Sequence, residues 1–200
     1  MESTPQGDQE SPPTILIVED EQGLADLYTI WLSDSYTVKT TYGGEEALEV
    51  IDESVDIMLL DRRMPDLAGD EVLTRVRKEG FDIPVVVASA VSPNFDLLDL
   101  EFDEHLEKPA EQTALQEMIE RMVTRATYDP AARELARLMS TKQLLEDTIS
   151  TTELQSHDGY QQLGDRITAL QSEVEEIPDE FAETDGGAGT NSTADTRPTE

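Results

Sequence analysis

The sequence contains no cysteine, which excludes disulfides and thiolate metal sites. It has no apolar run long enough to span a membrane, and its first residues lack the basic-then-apolar pattern of a signal peptide. We therefore expect a soluble, cytoplasmic protein without membrane association. Basic residues are scarce, since 14 Lys and Arg compare with 45 Asp and Glu, for a formal net charge of −31. A chain this acidic is expected to repel nucleic acid.

The excess of acidic residues has two interpretations. High net charge with low hydrophobicity is typical of disordered chains. Several apolar runs of strand length argue against disorder over most of this chain. The second interpretation is adaptation to concentrated salt, because at molar ionic strength the screening length falls to roughly 3 Å and surface carboxylates stop repelling one another. We favour this interpretation and expect a halophilic protein.

Four strand-like segments each end in residues that could carry chemistry. They are 57–60 with Asp61, 14–18 with Glu19 and Asp20, 84–88 with Ser89, and 104–107 with Lys108. Apolar runs without polar alternation are typical of parallel strands that are covered on both faces. Because ligands gather at the carboxyl ends of such strands, we expect three carboxylates, a hydroxyl and an ammonium to form one site.

Segments with helical periodicity separate these strands, and a further short strand is predicted at 36–39. Strands alternating with helices indicate right-handed βαβ crossovers and an α/β fold, a doubly wound five-stranded parallel sheet, over residues 14–126. Between the last two strands, residues 93–100 predict only a short fourth helix. Residues 1–13 are polar and contain three prolines, which predicts a disordered lead.

The β signals stop after Tyr128, and an α-helical hairpin is predicted over residues 128–177. Asp129 can cap a helix whose first turn contains Pro130. Apolar residues over 131–149 and over 160–177 follow heptad spacing; in the second helix they are Tyr160, Leu163, Ile167, Leu170, Val174 and Ile177. Since neither helix is stable alone, the two should pack on each other across the polar 150–158 stretch, or pair with another chain. Residues 178–200 predict a disordered acidic tail.

The carboxylate cluster indicates a metal-assisted phosphoryl site. Carboxylates held a few ångströms apart raise one another's pKa unless a cation neutralises them. Mg²⁺ is the natural partner, because it prefers oxygen ligands and is commonly held by one or two carboxylates together with phosphate oxygens. A carboxylate beside such an ion can attack phosphorus and form an acyl phosphate. Lys108 would then pair with the phosphoryl oxygens, and Ser89 would hydrogen-bond one of them.

These residues, in this order and each after a predicted strand, resemble the receiver domain of two-component response regulators, which has a flavodoxin-like (CheY-like) fold. The resemblance covers residues 14–126 and implies a sensor histidine kinase as the phosphoryl donor. It also implies the residue roles. Asp61 is the phosphoacceptor, Ser89 the switch hydroxyl and Lys108 the phosphate contact, while Asp20, Asp61 and the Arg63 carbonyl bind magnesium, with Glu19 helping through a water molecule.

The sequence departs from the receiver pattern at two places. His105 stands where the family has a switch aromatic, commonly Tyr or Phe, and histidine would add a pH-dependent charge. The segment 91–102 is short, so the output surface that includes the fourth helix is expected to be unusual. Residues 128–177 resemble the HalX domain, a helical module found behind receivers in haloarchaeal proteins, through the Tyr128-Asp129 start and the two heptad-patterned helices.

Three functions are open from these residues. The leading one is a phosphorelay response regulator whose helical domain, once released, forms a homodimer or binds a downstream protein. The alternative is a transcription regulator acting on DNA directly or through a partner protein. Residues 128–177 hold ten acidic and four basic residues, which argues against direct DNA binding. The third is a phosphohydrolase, but its general acid would stand at Arg63, so we expect no external substrate and only slow loss of the protein's own acyl phosphate.

Two further expectations concern single residues. The side chains of Arg62 and Arg63 are expected to point outward and to pair with surface acids. His157, alone in the polar 150–158 stretch, is expected to be an ordinary linker residue.

Overall fold

The computed structural model describes residues 11–175. The disorder predicted for 1–13 and 178–200 therefore falls outside the described residues, except at 11–13, and so does the last predicted seam residue, Ile177. Among the described helices, none combines the length and apolar character that crossing a membrane requires.

The sheet has five parallel strands in the order β2-β1-β3-β4-β5. The strands are β1 (Thr14–Val18), β2 (Thr37–Thr41), β3 (Ile57–Asp61), β4 (Val85–Ser89) and β5 (Glu104–Glu107). All five residues of β3 and of β4 are buried, which explains why these segments show no polar alternation. The predicted doubly wound parallel sheet is confirmed.

Helices cover both faces of the sheet. They are α1 (Gln22–Leu32), α2 (Gly44–Val50), α3 (Gly69–Lys78) and α4 (Gln112–Arg125). Successive strand residues point to opposite faces, so Ile15 and Ile17 pack with α1 and α4. Leu16 and Val18 pack with α2 and α3 on the other face. We call this part, residues 14–125, the α/β unit.

The predicted fourth helix of the α/β unit is only a 3₁₀ helix, Phe95–Asp99. The side chain of Asn94 caps it by accepting a hydrogen bond from the Asp96 N–H at 3.2 Å. Leu97 is fully buried in the core below, while Leu100 is already extended. The segment is therefore long enough to anchor one residue but too short to cover the sheet as an α-helix would.

Three helices follow and form what we call the helical unit: α5 (Pro130–Thr148), α6 (Thr151–Ser156) and α7 (Asp158–Glu175). As predicted, Asp129 caps α5, because its Oδ1 accepts a hydrogen bond from the Ala132 N–H at 3.0 Å. α5 packs against α7, with Leu145 and Leu163 in one buried cluster. The prediction missed α6, whose single buried residue, Leu154, gives no periodic signal.

Candidate functional site

Glu19, Asp20 and Asp61 lie together at the carboxyl edge of the sheet. β1 and β3 are neighbours, with Val18 in register with Leu60, so the residues that follow emerge side by side. One carboxylate oxygen from each acid lies within 4.8 Å of those of the other two. Glu19 is 3% exposed and Asp61 7%, and Asp20 is partly exposed. The predicted carboxylate cluster therefore exists and is open on one side.

Lys108 brings a positive charge into this cluster. Its Nζ lies 2.5 Å from Oε2 of Glu19 and 2.8 Å from Oδ2 of Asp61. The other oxygen of Asp61, Oδ1, accepts a hydrogen bond from the main-chain N–H of Arg63 at 3.0 Å. Both oxygens of Asp61 are thus held in place, as a precisely oriented nucleophile requires.

Burial and neighbouring charges shift the pKa values of Glu19, Asp20 and Lys108. Burial raises the pKa of Glu19 to about 7, and the hydrogen bond from Lys108 only partly opposes this. Burial and the nearby charge of Asp61 raise the pKa of Asp20. For Lys108, burial lowers the pKa, but Asp61 and Glu19 outweigh burial and raise it overall. Burial is thus the main cause of the raised pKa values of Glu19 and Asp20, and the charge of Asp61 adds to it.

The donor set fits a hard divalent cation. It consists of carboxylate oxygens within reach of one ion, and Lys108 leaves it with residual negative charge. A cavity of about 470 Å³ opens over the cluster, and its walls include Arg63, Ala90 and Val91. Such a cavity has room for an ion that keeps part of its water, as Mg²⁺ does. That the carbonyl of Arg63 is also a ligand stays a prediction.

The two predicted switch residues do not line this cavity. Ser89 is 1% exposed and immediately precedes Ala90 and Val91, which do line the cavity. Its Oγ accepts a hydrogen bond from the Val91 N–H at 3.1 Å, so the hydroxyl is engaged by its own loop. His105 is half-buried on β5, in register with Val87. The pKa of His105 is lowered by burial, and the charge of Glu107 opposes this only in part.

The prediction that Arg62 points outward is wrong, but its predicted pairing with an acid at the surface is confirmed by Asp70. Arg62 is 8% exposed, and its guanidinium makes two parallel bonds to Asp70: Nε donates to Oδ1 at 2.9 Å and Nη2 donates to Oδ2 at 3.1 Å. The chain folds back between Arg62 and Asp70, and a hydrogen bond from the N–H of Gly69 to the Arg62 carbonyl, at 3.0 Å, holds this loop. Local sequence could not reveal a pairing that depends on this loop. Arg63 is exposed, as expected.

Gly69 supports the site because it has no side chain. A Cβ at this position would lie 2.2 Å from the carbonyl oxygen of Asp61 and 2.9 Å from the Cα of Arg62. Only glycine allows the start of α3 to approach the Asp61 loop so closely. Gly69 therefore determines the position of Asp61 without bearing any chemical group.

Comparison with known proteins agrees with this geometry. The family model "Response regulator receiver domain" matches residues 15–120, and the model "HalX domain" matches residues 124–187. A Haloferax volcanii protein named "Putative transcriptional regulator" is 38% identical over 162 residues, which is 80% of this chain and 28% of that protein. Response regulator SaeR of Staphylococcus aureus is 32% identical over 115 residues, 56% of this chain and 50% of SaeR. The chain thus spans half or less of the length of these relatives.

A solved structure agrees with the fold. The response regulator receiver domain protein (CheY-like) from Methanospirillum hungatei JF-1 superposes with a TM-score of 0.54, over 58% of this chain and 97% of that chain. The two sequences are 23% identical, so this likeness concerns the architecture of the α/β unit alone.

Proposed function

Because the chain belongs to the response regulator receiver family and carries a HalX domain, it is a two-component response regulator, and we propose that it accepts a phosphoryl group from a sensor histidine kinase on Asp61. The observation that carries this proposal is that both carboxylate oxygens of Asp61 are held by neighbouring groups. One carboxylate oxygen is held by Lys108 and the other by the Arg63 N–H, beneath an open cavity.

The reaction is an in-line displacement at phosphorus. A carboxylate oxygen of Asp61 forms the new bond to phosphorus, while the bond from phosphorus to the imidazole nitrogen of the donor breaks and leaves its electron pair on that nitrogen. The cavity above Asp61 admits the donor from the solvent side. Arg63 need not donate a proton to the imidazole leaving group.

Mg²⁺ would be held by Asp20 and Asp61, with Glu19 behind them, and when bound it supplies neutralising charge for the transferring phosphoryl group. Two side chains of the protein contact the transferred phosphoryl group. Lys108 pairs with Glu19 and Asp61 before transfer, and its flexible side chain turns to the phosphoryl oxygens after it. The Ser89 hydroxyl, whose oxygen accepts a hydrogen bond from the Val91 N–H, donates its own O–H to a phosphoryl oxygen.

We expect no external substrate. Enzymes that hydrolyse small phosphate esters through an aspartate need an acid near the nucleophile to protonate the leaving group. Here the residue two positions after Asp61 is Arg63, which contributes its main-chain N–H. Loss of phosphate should therefore be limited to slow hydrolysis of the Asp61 acyl phosphate itself.

The name of the Haloferax volcanii relative favours a second candidate, regulation of transcription. The charge of the helical unit argues for a route through a partner protein. Of its basic residues, Arg133 pairs with Asp82, Arg137 with Glu134 and Lys142 with Glu146, so these cations are already engaged. High salt would weaken contacts with DNA phosphates further. Titration of duplex DNA in matched salt, with no binding expected, separates the two routes.

The decisive experiment is intact-mass measurement after treatment with acetyl phosphate and Mg²⁺ in molar KCl. The wild type should gain one phosphoryl group, and Asp61→Asn should gain none. Asp34→Asn is the matched control, because Asp34 is an exposed acid remote from the cluster, and it should label as the wild type does. An adduct that survives Asp61→Asn, or that forms equally with EDTA, contradicts the proposal.

A further inference from the structure

Arg62 and Asp70 form an ion pair that closes the loop between β3 and α3. Arg62 directly follows Asp61, the last residue of β3, and Asp70 lies in the first turn of α3. Nε of Arg62 donates to Oδ1 of Asp70 at 2.9 Å, and Nη2 donates to Oδ2 at 3.1 Å. The side chain of Arg62 is 9% exposed, so water competes little for its N–H groups. Two parallel bonds from a guanidinium to a carboxylate fix the orientation of both groups as well as their separation.

The main chain closes the same loop at the same point. The N–H of Gly69 donates to the Arg62 carbonyl at 3.0 Å, so Arg62 is held through its side chain and through its backbone. Between the two ends of the loop, Met64 and Leu67 are buried in the core of the α/β unit. The loop 62–70 is therefore a closed segment that two separate contacts anchor at Arg62.

This loop supplies the N–H group that orients the phosphoacceptor. The main-chain N–H of Arg63 donates to Oδ1 of Asp61 at 3.0 Å. The side chain of Arg63 is exposed, whereas Arg62 and Met64 on either side of it are buried. The position of the Arg63 N–H is therefore set by its neighbours, and of these two Arg62 makes the directional contact.

Arg62 acts at a distance from the reacting atoms. The wall of the cavity over Asp61 contains Arg63 and Lys108, while Nε and Nη2 of Arg62 are directed to Asp70. These two donors are thus engaged away from the place where a phosphoryl group would stand. The geometry suits a residue that holds the loop rather than one that contacts the phosphoryl group.

We propose that Arg62 is a positioning residue for phosphoryl transfer: paired with Asp70, it holds the loop so that the Arg63 N–H orients the Asp61 carboxylate. This inference rests on the proposed function. Groups that orient the residues in direct contact with a metal or substrate typically contribute about 10–100-fold to metal affinity or activity. Loss of the ion pair should therefore slow phosphorylation in protein that is still folded.

Three variants of the full chain separate positioning from charge. Arg62→Met removes the guanidinium and keeps an unbranched apolar stem. Arg62→Lys keeps the positive charge but cannot form two parallel bonds to Asp70. Asp70→Asn leaves Arg62 in place and removes the carboxylate at the other end of the loop. Arg75→Met is the matched control, because Arg75 also pairs with an acid of α3, Glu71, but at an exposed site.

Two measurements are made on each variant at a temperature at which it is folded. The rate of labelling by acetyl phosphate with Mg²⁺ in molar KCl is followed by intact mass. Amide hydrogen exchange over residues 62–70 is followed in EDTA, so this second measurement depends neither on phosphorylation nor on a metal ion.

We expect Arg62→Met to be labelled at least about tenfold more slowly than the wild type and to exchange faster over residues 62–70. Arg62→Lys and Asp70→Asn should change both measurements in the same direction. The double variant Arg62→Met/Asp70→Asn should be labelled no more slowly than Arg62→Met, since both substitutions break one contact. Arg75→Met should match the wild type in labelling rate and in exchange.

A folded Arg62→Met that is labelled at the wild-type rate would overturn this role, even if its melting temperature is lower, because a purely structural contribution changes stability alone. Recovery of the wild-type rate in Arg62→Lys would overturn it too, since charge would then suffice without the paired geometry. If Arg62→Met does not fold, Arg62→Lys and Asp70→Asn are compared with Arg75→Met in the same way. Absence of any adduct on the wild type would overturn the proposed function, and this inference with it.

Discussion

The ammonium of Lys108 lies 2.8 Å from Oδ2 of Asp61, although Asp61 ends β3 and Lys108 follows β5, with β4 between the two strands. In this arrangement Lys108 is the internal cation of the acidic cluster. It neutralises part of the carboxylate charge that a divalent cation would otherwise compensate.

Lys108→Met should therefore make the protein depend more strongly on magnesium. Methionine keeps the apolar stem but removes the charge, which leaves Glu19 and Asp61 buried and facing each other. Breaking a buried ion pair from one side costs about 3–5 kcal/mol, and a bound dication should restore part of it. Thermal unfolding in Mg²⁺ and in EDTA tests this, and an equal magnesium-induced shift in variant and wild type would contradict it. Labelling by acetyl phosphate should also fall.

The pKa of Glu19 predicts how stability depends on pH in EDTA. A buried acid whose pKa is raised, here from 4.5 to about 7, binds its proton more tightly when folded than when unfolded. Its stabilising contribution is complete below pH 4.5 and is lost as the pH rises to about 7. Glu19→Gln stays neutral, so its stability relative to the wild type should grow over this window by at most about 3 kcal/mol.

Chemical denaturation of both proteins at several pH values measures this difference. Above pH 7 the two stability curves should run parallel. Curves that are already parallel between pH 4.5 and 7 would show that Glu19 titrates normally in the folded protein.

Gly69→Ala should displace the Asp61 loop. The new Cβ would lie 2.2 Å from the Asp61 carbonyl oxygen, and overpacking of this kind typically costs about 1–3 kcal/mol. We expect lower stability and slower labelling of Asp61. Gly23→Ala is the control, since a Cβ at Gly23 in α1 meets nothing within 4 Å and should stabilise the helix by up to about 1 kcal/mol. Urea denaturation and labelling of the two variants, side by side, provide the test.

Two arginines on α3 should differ sharply in their contribution to stability. Arg77 donates to the carbonyls of Phe81, Ile83 and Glu101 and its side chain is 14% exposed. Arg77→Met would leave these carbonyls without their donor, at a cost of about 3 kcal/mol or more. Arg75 makes an exposed pair with Glu71, so Arg75→Met should change stability by no more than about 0.5 kcal/mol. Similar unfolding midpoints for both variants would refute this prediction.

Much of the architecture was predictable because its signals are local. The apolar runs that end in Asp61 and Ser89 indicate buried parallel strands, and the order of polar residues after them predicts which side chains meet. The cluster of Glu19, Asp20, Asp61 and Lys108 follows from topology alone, since adjacent parallel strands must end at the same edge.

Features made by two distant segments could not be predicted in this way. The burial of Arg62 depends on the fold-back that brings Asp70 to it. The requirement for glycine at position 69 depends on how closely α3 approaches β3. His157, expected to be an ordinary linker residue, stacks its ring on that of Phe95 and joins two segments, and neither segment's sequence indicates that it contacts the other.

The sequence by itself thus determined the parallel sheet, the acidic cluster at its carboxyl edge and the helices that follow. Periodicity and strand ends express these features within short stretches of chain. Only the tertiary structure decided that the helical unit packs against the 3₁₀ helix of the α/β unit. The same is true of the hydrogen bond from the Val91 N–H to Ser89. Those arrangements arise from packing and hydrogen bonds whose partners are chosen after the chain has folded.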